Sequence, residues 1–112
     1  KGKCAETFGP LGPWLVTTDE VKDPQKLAMS LDVNGKRRQT GSTETMIFNM
    51  DYLLHYITQF LVLEPCDVVT TGTPPGVALG MKPPVWLQPG DQMTLKIEGL
   101  GQQSGKVVAF KE

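Results

Sequence analysis

The chain has 112 residues, enough for one modest hydrophobic core, and nothing in it suggests two domains. Its 11 basic and 12 acidic residues nearly cancel, which leaves no charge field for nucleic acid or an anionic membrane surface. No apolar run is long enough to span a bilayer and no signal-peptide pattern is present, so a cytoplasmic protein is expected.

In chain order, Phe8 to Pro13 is broken by two Gly-Pro steps and should be irregular. Trp14 to Thr17 reads as a short strand, and Asp19-Glu20 with Asp23-Pro24 as a polar loop. From Leu27 to Val33 the pattern alternates, with Leu27, Met29, Leu31 and Val33 on one face. Asn34-Gly35 follows, the pair a type I′ hairpin turn needs, because both central positions require positive φ. The basic run Lys36-Arg37-Arg38 is then a solvated hairpin strand, not a phosphate site.

Gly41 to Thr45 is a turn, and Asn49 or Asp51 caps a helix predicted to run to Phe60 or Leu61. Leu53, Leu54, Ile57, Phe60 and Leu61 form one apolar stripe on it, expected to be buried against a sheet. His55 projects off the stripe and has no carboxylate at a useful spacing, so it reads as an exposed or subunit-contact residue. Glu64-Pro65 ends this region. Asp67 to Thr71 is β-branched and predicts a central strand running into the loop Gly72-Thr73-Pro74-Pro75-Gly76. There the prolines fix φ and the glycines permit turns and close approach by a ligand. Val77 to Trp86 should cover a cavity or an edge. Gln92 to Glu98 alternates as a strand, and Lys106 to Phe110 is expected to be the last one. Cys4 and Cys66 lack a metal-type spacing; one disulfide could be drawn, but thiols are expected, with Cys4 a small buried filler. Pattern alone therefore gives a mainly β (α+β) chain with one helix.

Several segments occur together and in order: Gly2-Lys3-Cys4-Ala5-Glu6-Thr7-Phe8-Gly9-Pro10-Leu11-Gly12-Pro13, Asn34-Gly35 with Gln39, Met46-Ile47-Phe48, and the TGTPPG loop. Lys82-Pro83-Pro84-Val85, Pro89-Gly90-Asp91 and Ile97-Glu98-Gly99-Leu100-Gly101 continue the series. This ordered set resembles the fumarylacetoacetate hydrolase family over nearly the whole chain. The run from Lys3 to Trp14 is most similar to members acting on 2,4-diketo-3-deoxy sugar acids and to those named ureidoglycolate lyases. The resemblance implies that residues 1–112 are the C-terminal portion of one catalytic domain, a mixed β-roll or barrel with one packed helix. Family members extend much further upstream and this chain has no initiator methionine, so a fragment is expected.

What the resemblance implies chemically is the metal-dependent hydrolysis of a C–C bond in a small 2,4-dioxo acid, an acylpyruvate or a diketo-deoxy sugar acid. A divalent ion, Mg2+ with Mn2+ or Ca2+ as substitutes, would chelate the carboxylate and 2-oxo oxygens and stabilise a metal-bound enolate. Lys3 falls at the motif position of an ammonium that stabilises developing negative charge, and Thr73 at that of a catalytic hydroxyl. Thr7, Gly72, Pro74 and Gly76 match substrate-binding positions, with backbone N–H groups approaching the substrate carboxylate. Lys3 and Thr73 are expected to face one cavity.

Two departures stand out. Glu6 takes a position commonly occupied by aspartate and would support Lys3. The family's Glu-x-Glu metal ligands are missing, since the glutamates are Glu6, Glu20, Glu44, Glu64, Glu98 and Glu112. The metal ligands are thus expected upstream of this sequence, with no metal site made by this chain alone. A homodimer is implied, with no nucleic-acid or membrane partner. Two other readings are isomerisation or decarboxylation of a 2-oxo dioic acid on the same scaffold, and a non-catalytic β-roll interaction module.

Overall fold

The alternating run after Leu27 forms strand β1 (Ala28–Val33), and Asn34-Gly35 turns the chain back into β2 (Lys36–Ser42). Asn34 and Gly35 have φ of +51° and +73°, the double positive φ that the two-residue hairpin requires. The second hairpin joins β3 (Gln92–Ile97) to β4 (Gly101–Lys106), and the sheet order is β2-β1-β3-β4. All three neighbouring pairs are antiparallel. Among the described residues there is one α-helix, α1, spanning Met50–Ile57. These statements come from a computed structural model that describes residues 3–110.

Register decides which residues share a face. Met29 pairs with Gly41 on one side and Ile97 on the other, and Ile97 pairs with Gly101. One row thus crosses the sheet as Gly41–Met29–Ile97–Gly101. The parallel rows through Leu31–Leu95 and Val33–Met93 give an apolar face. The opposite face carries Ser30, Asp32, Thr94, Lys96, Gln102 and Ser104 and is polar. Arg37 pairs with Asp32 on that side.

The core is slight. Val33, at 5% exposure, is the buried hydrophobic residue among those described, and Thr43, at 7%, the buried polar one. Thr43 is satisfied on every side. Its hydroxyl donates to the Pro24 carbonyl (2.7 Å) and accepts from the Leu27 N–H (2.9 Å), and its own amide donates to Leu27 O (3.0 Å). Gln25 extends the knot, donating to Thr43 O (3.2 Å) and accepting from the Met50 N–H (2.7 Å) at the start of α1. Asn49 caps the helix through its side chain to the Tyr52 N–H at 2.7 Å.

Several expectations are corrected. Trp14 to Thr17 and Asp67 to Thr71 are not strands; both lack a ladder partner among the described residues, and β propensity has no effect without one. The last strand is Gly101–Lys106, not Lys106 to Phe110, and its Gly-Gln-Gln-Ser-Gly-Lys sequence has no apolar alternation to reveal it. The helix ends at Ile57 and continues only as a turn through Phe60. Its stripe is not buried against the sheet: Leu53 and Ile57 are half-buried, while Leu54, Phe60 and Leu61 are exposed. An exposed ladder of rings, Phe48, Tyr52, Tyr56 and Phe60, runs along the helix with centroid spacings of 4.9, 6.3 and 5.2 Å. His55 is exposed, in line with its position off the stripe. Cys4 is exposed and is not a buried filler, and Cys66 is an exposed thiol.

Candidate functional site

The Thr71–Val77 segment closes one side of a cavity of about 620 Å³ on the apolar sheet face. Its other walls include Met29, Thr43, Met46, Phe48 and Leu53. Gly72, Thr73 and Pro74 all line this space, so three of the expected site residues come together. Gly72 has φ of +101°, and nothing lies within 4 Å of where its side chain would be. Its need for glycine is conformational.

Beyond Thr73 the loop is pressed onto β2. A Cβ on Gly41 would sit 2.7 Å from Pro74 Cβ, so that strand position must be glycine for the proline to seat. Gly76, with φ of +113°, brings its backbone against the Arg38 carbonyl, which any side chain there would strike. The close approach expected of a ligand at Gly76 is therefore made by the β2 backbone. Gln39, in the same strand, donates its amide to Thr73 Oγ1 (2.8 Å) and to the Pro74 carbonyl (2.7 Å). Sequence reasoning placed Gln39 among the family's ordered segments without a site role and Gly41 at the start of a turn, whereas both lie within β2. The available signal was their i, i+2 spacing, which places them on one face of a strand that opens with a basic run.

The N-terminal motif seats on the same face at the opposite edge. Gln103 on β4 donates to the carbonyls of Pro10 (3.3 Å) and Gly12 (3.1 Å), and the Trp14 ring covers Gly101 so closely that a Cβ there would lie 2.7 Å from it. Pro74 and Trp14 thus stand at the two ends of the Gly41–Met29–Ile97–Gly101 row. Three strand spacings separate them, roughly 14 Å. Lys3, Glu6 and Thr7 precede this anchor and are exposed; Thr7 adopts φ of +67° in a turn closed by the Phe8 N–H on Ala5 O (3.1 Å). The described lining of the cavity contains Thr73 but not Lys3, Glu6 or Thr7. Among the described residues the two motifs share a sheet face.

A second apolar hollow of about 450 Å³ adjoins Gly76 and Val77, walled by Val33, Met81, Trp86 and Met93. Arg38 lines it and is half-buried, donating to Met81 Sδ at 3.6 Å, which corrects the expectation of a fully solvated basic run. Asp91 lies at its rim. The Gln88 N–H (2.8 Å) and the Asn34 side-chain amide (2.7 Å) hold its carboxyl below the usual carboxylate range, and Arg38 adds in the same direction. Asn34 also accepts from the Gln92 N–H (2.9 Å), so this pair joins the first hairpin turn to the start of β3. Among the described residues no three His, Cys, Asp or Glu side chains form a group that could hold a metal ion. The residues present do not fit a divalent cation by themselves.

Sheet, loop and cavity together define a β scaffold presenting a hydroxyl-bearing loop over an apolar space. Residues 1–108 match the family model described as fumarylacetoacetate (FAA) hydrolase C-terminal. A curated relative from Burkholderia multivorans, provisionally named a hydrolase, is 56% identical over 104 residues, 92% of this chain and 37% of its own length. The chain therefore spans little more than a third of the curated relatives it matches. Among solved structures, fumarylacetoacetate hydrolase from Exiguobacterium antarcticum superposes with a TM-score of 0.93 at 43% identity, over 97% of this chain and 39% of that one. Maleylpyruvate hydrolase from Sphingobium sp. SYK-6, in complex with manganese(II) and pyruvate, gives 0.82 at 35% identity over 92% and 36%. The 2-hydroxyhepta-2,4-diene-1,7-dioate isomerase of Mycobacterium marinum gives 0.79 at 34% identity over 93% and 37%. The chain belongs to the fumarylacetoacetate hydrolase family, whose C-terminal domain has this mainly β fold with a single helix. No helix among the described residues is long and apolar enough to cross a membrane.

Proposed function

We propose that this chain forms the substrate-holding part of an enzyme that hydrolyses a carbon–carbon bond in a 2,4-dioxo acid, an acylpyruvate or a diketo-deoxy sugar acid. The observation that carries the reading is the Thr73 hydroxyl, anchored by Gln39 and lining a 620 Å³ cavity with mostly apolar walls. A small acid suits such a half-open hollow, where apolar walls surround the few polar groups that fix orientation. The hydrolases among the structural neighbours, one of them holding pyruvate, support this substrate class.

In this reading Thr73 and the backbone around Gly72 hold the acid's oxygens, and Pro74 stiffens the loop that aims them. Gly76 contributes by seating the loop on β2. Lys3 supplies the ammonium that stabilises negative charge as the bond breaks, with Glu6 holding Lys3 and Thr7 binding substrate. That role needs the N-terminal segment to reach the cavity from the far edge of the same face. A divalent cation, for which we propose Mg2+, would supply Lewis-acid chemistry. The manganese in the neighbour supports a metal, although among the described residues no three His, Cys, Asp or Glu side chains gather to hold one. A cytoplasmic homodimer completes the proposal.

Isomerisation or decarboxylation of a 2-oxo dioic acid is the second reading, favoured by the likeness to the Mycobacterium marinum isomerase. Product analysis with the protein expressed from its native gene separates the two. Cleavage into pyruvate, or another 2-oxo acid, plus a second fragment supports hydrolysis; a rearranged acid or released CO2 supports the alternative. Lys3→Met should lower kcat on the order of 10²-fold or more with an unchanged melting temperature. Near-normal turnover in that variant would remove Lys3 from the mechanism.

A further inference from the structure

The hydroxyl of Thr73 is directional, and a neighbouring side chain sets its direction. Gln39 lies within hydrogen-bond reach of Thr73 Oγ1 (2.8 Å) and of the Pro74 carbonyl (2.7 Å). A carbonyl oxygen only accepts, so the end of Gln39 facing Pro74 must be its NH2 group. That group has two hydrogens, and these two acceptors use both. Thr73 therefore receives a hydrogen bond from Gln39, and its own O–H hydrogen must point elsewhere. Among the described residues its acceptor is the Pro74 carbonyl at 3.3 Å, long for an O–H···O bond and already shared with Gln39.

Gln39 cannot easily turn away. It sits on β2 between Arg38, whose carbonyl meets Gly76, and the strand position Gly41, on which Pro74 seats. Strand and loop are in contact on both sides of the hydrogen-bonded pair, so donor and acceptors stay in register.

We infer that Gln39 is a positioning residue that fixes Thr73 as a hydrogen-bond donor toward the cavity. The site then selects ligands presenting an acceptor oxygen there, a carboxylate or a keto group, over those presenting an alcohol or ammonium donor. This rests on the reading of Thr73 as a substrate-binding group, and it adds the polarity of that contact and the residue that sets it.

The test uses the full-length protein with Mn2+ and measures the Kd for pyruvate by calorimetry in a cycle of Gln39→Glu, Thr73→Val and the double variant. A glutamate carboxylate accepts only, so it draws the Thr73 hydrogen to itself and reverses the contact. Gln39→Glu should then raise the Kd on the order of tenfold or more, the scale of one hydrogen bond to a charged group. In the Thr73→Val background the same change should have almost no further effect. If Gln39 merely holds the loop through Pro74, the loss persists in that background, and the inference is overturned. It is also overturned if Thr73→Val weakens pyruvate while Gln39→Glu does not. An unchanged Kd in Thr73→Val, or no pyruvate binding by the unaltered protein, defeats the site reading itself and the inference with it. Should Gln39→Glu fail to fold, Gln39→Leu takes its place in the cycle, and its loss must likewise vanish in the Thr73→Val background.

Discussion

Replacing Gly76 by alanine distinguishes a glycine kept for the fold from one kept for a ligand. At φ of +113° an L-residue is strained, at roughly 1–3 kcal/mol for a sparsely populated backbone conformation. The added methyl also strikes the Arg38 carbonyl and lies 3.0 Å from Gln39 Cγ. Both belong to β2, an edge strand held by its ladder to β1 and by Pro74 seated on Gly41, so overpacking adds about 1–3 kcal/mol. The expected total is about 2–6 kcal/mol. Gly72→Ala is the internal control. Its φ of +101° carries the same kind of backbone strain, but nothing lies within 4 Å of the new methyl. It should therefore lose only the backbone part, about 1–3 kcal/mol. Urea unfolding of both variants, followed by tryptophan fluorescence, gives the two values directly. If Gly76→Ala is no more damaging than Gly72→Ala, the packing of the loop on Arg38 is not what requires glycine. A Gly76→Ala variant of unaltered stability that loses only pyruvate affinity would restore the ligand-approach explanation.

Thr43→Val keeps the shape of a buried side chain but leaves the Leu27 N–H without its partner and frees the Pro24 carbonyl, so a loss of about 1–3 kcal/mol in urea unfolding is expected. Asp91 gives the pH dependence. Its folded pKa is depressed by the Gln88 and Asn34 hydrogen bonds, so its contribution is present above the unfolded value of about 3.9 and lost as pH falls through the folded value. The urea midpoint of the unaltered protein should drop on going below about pH 4, and Asp91→Asn should lower the neutral-pH midpoint while flattening that acid limb. An acid limb of unchanged steepness in Asp91→Asn would assign the effect to other carboxylates.

Local rules were enough wherever the physical cause lay within a few residues. Asn34-Gly35 announced its hairpin because only a pair tolerant of positive φ makes that turn, and the alternation before it and in Gln92 to Glu98 marked two strands with one apolar face. Asn49 capped the helix for an equally local reason. The family's ordered motifs were readable for the same cause, since they are contiguous strings. Features that depend on distant partners were not. The β4 strand has no apolar period, and it exists because β3 offers a ladder and Trp14 fills the space over Gly101. Asp67 to Thr71 has strand propensity but gains no partner among the described residues, and the helix stripe has the right period but little to pack against. The site divides along the same line. Sequence by itself determined that a proline-stiffened loop carries a hydroxyl at Thr73, because backbone restriction is a property of the residues concerned. Only the tertiary structure decided that Gln39, some 34 residues earlier, sets which way that hydroxyl donates. Hydrogen-bond polarity belongs to a pair of groups, and which groups meet is settled by strand register and by the glycines that let two backbones touch.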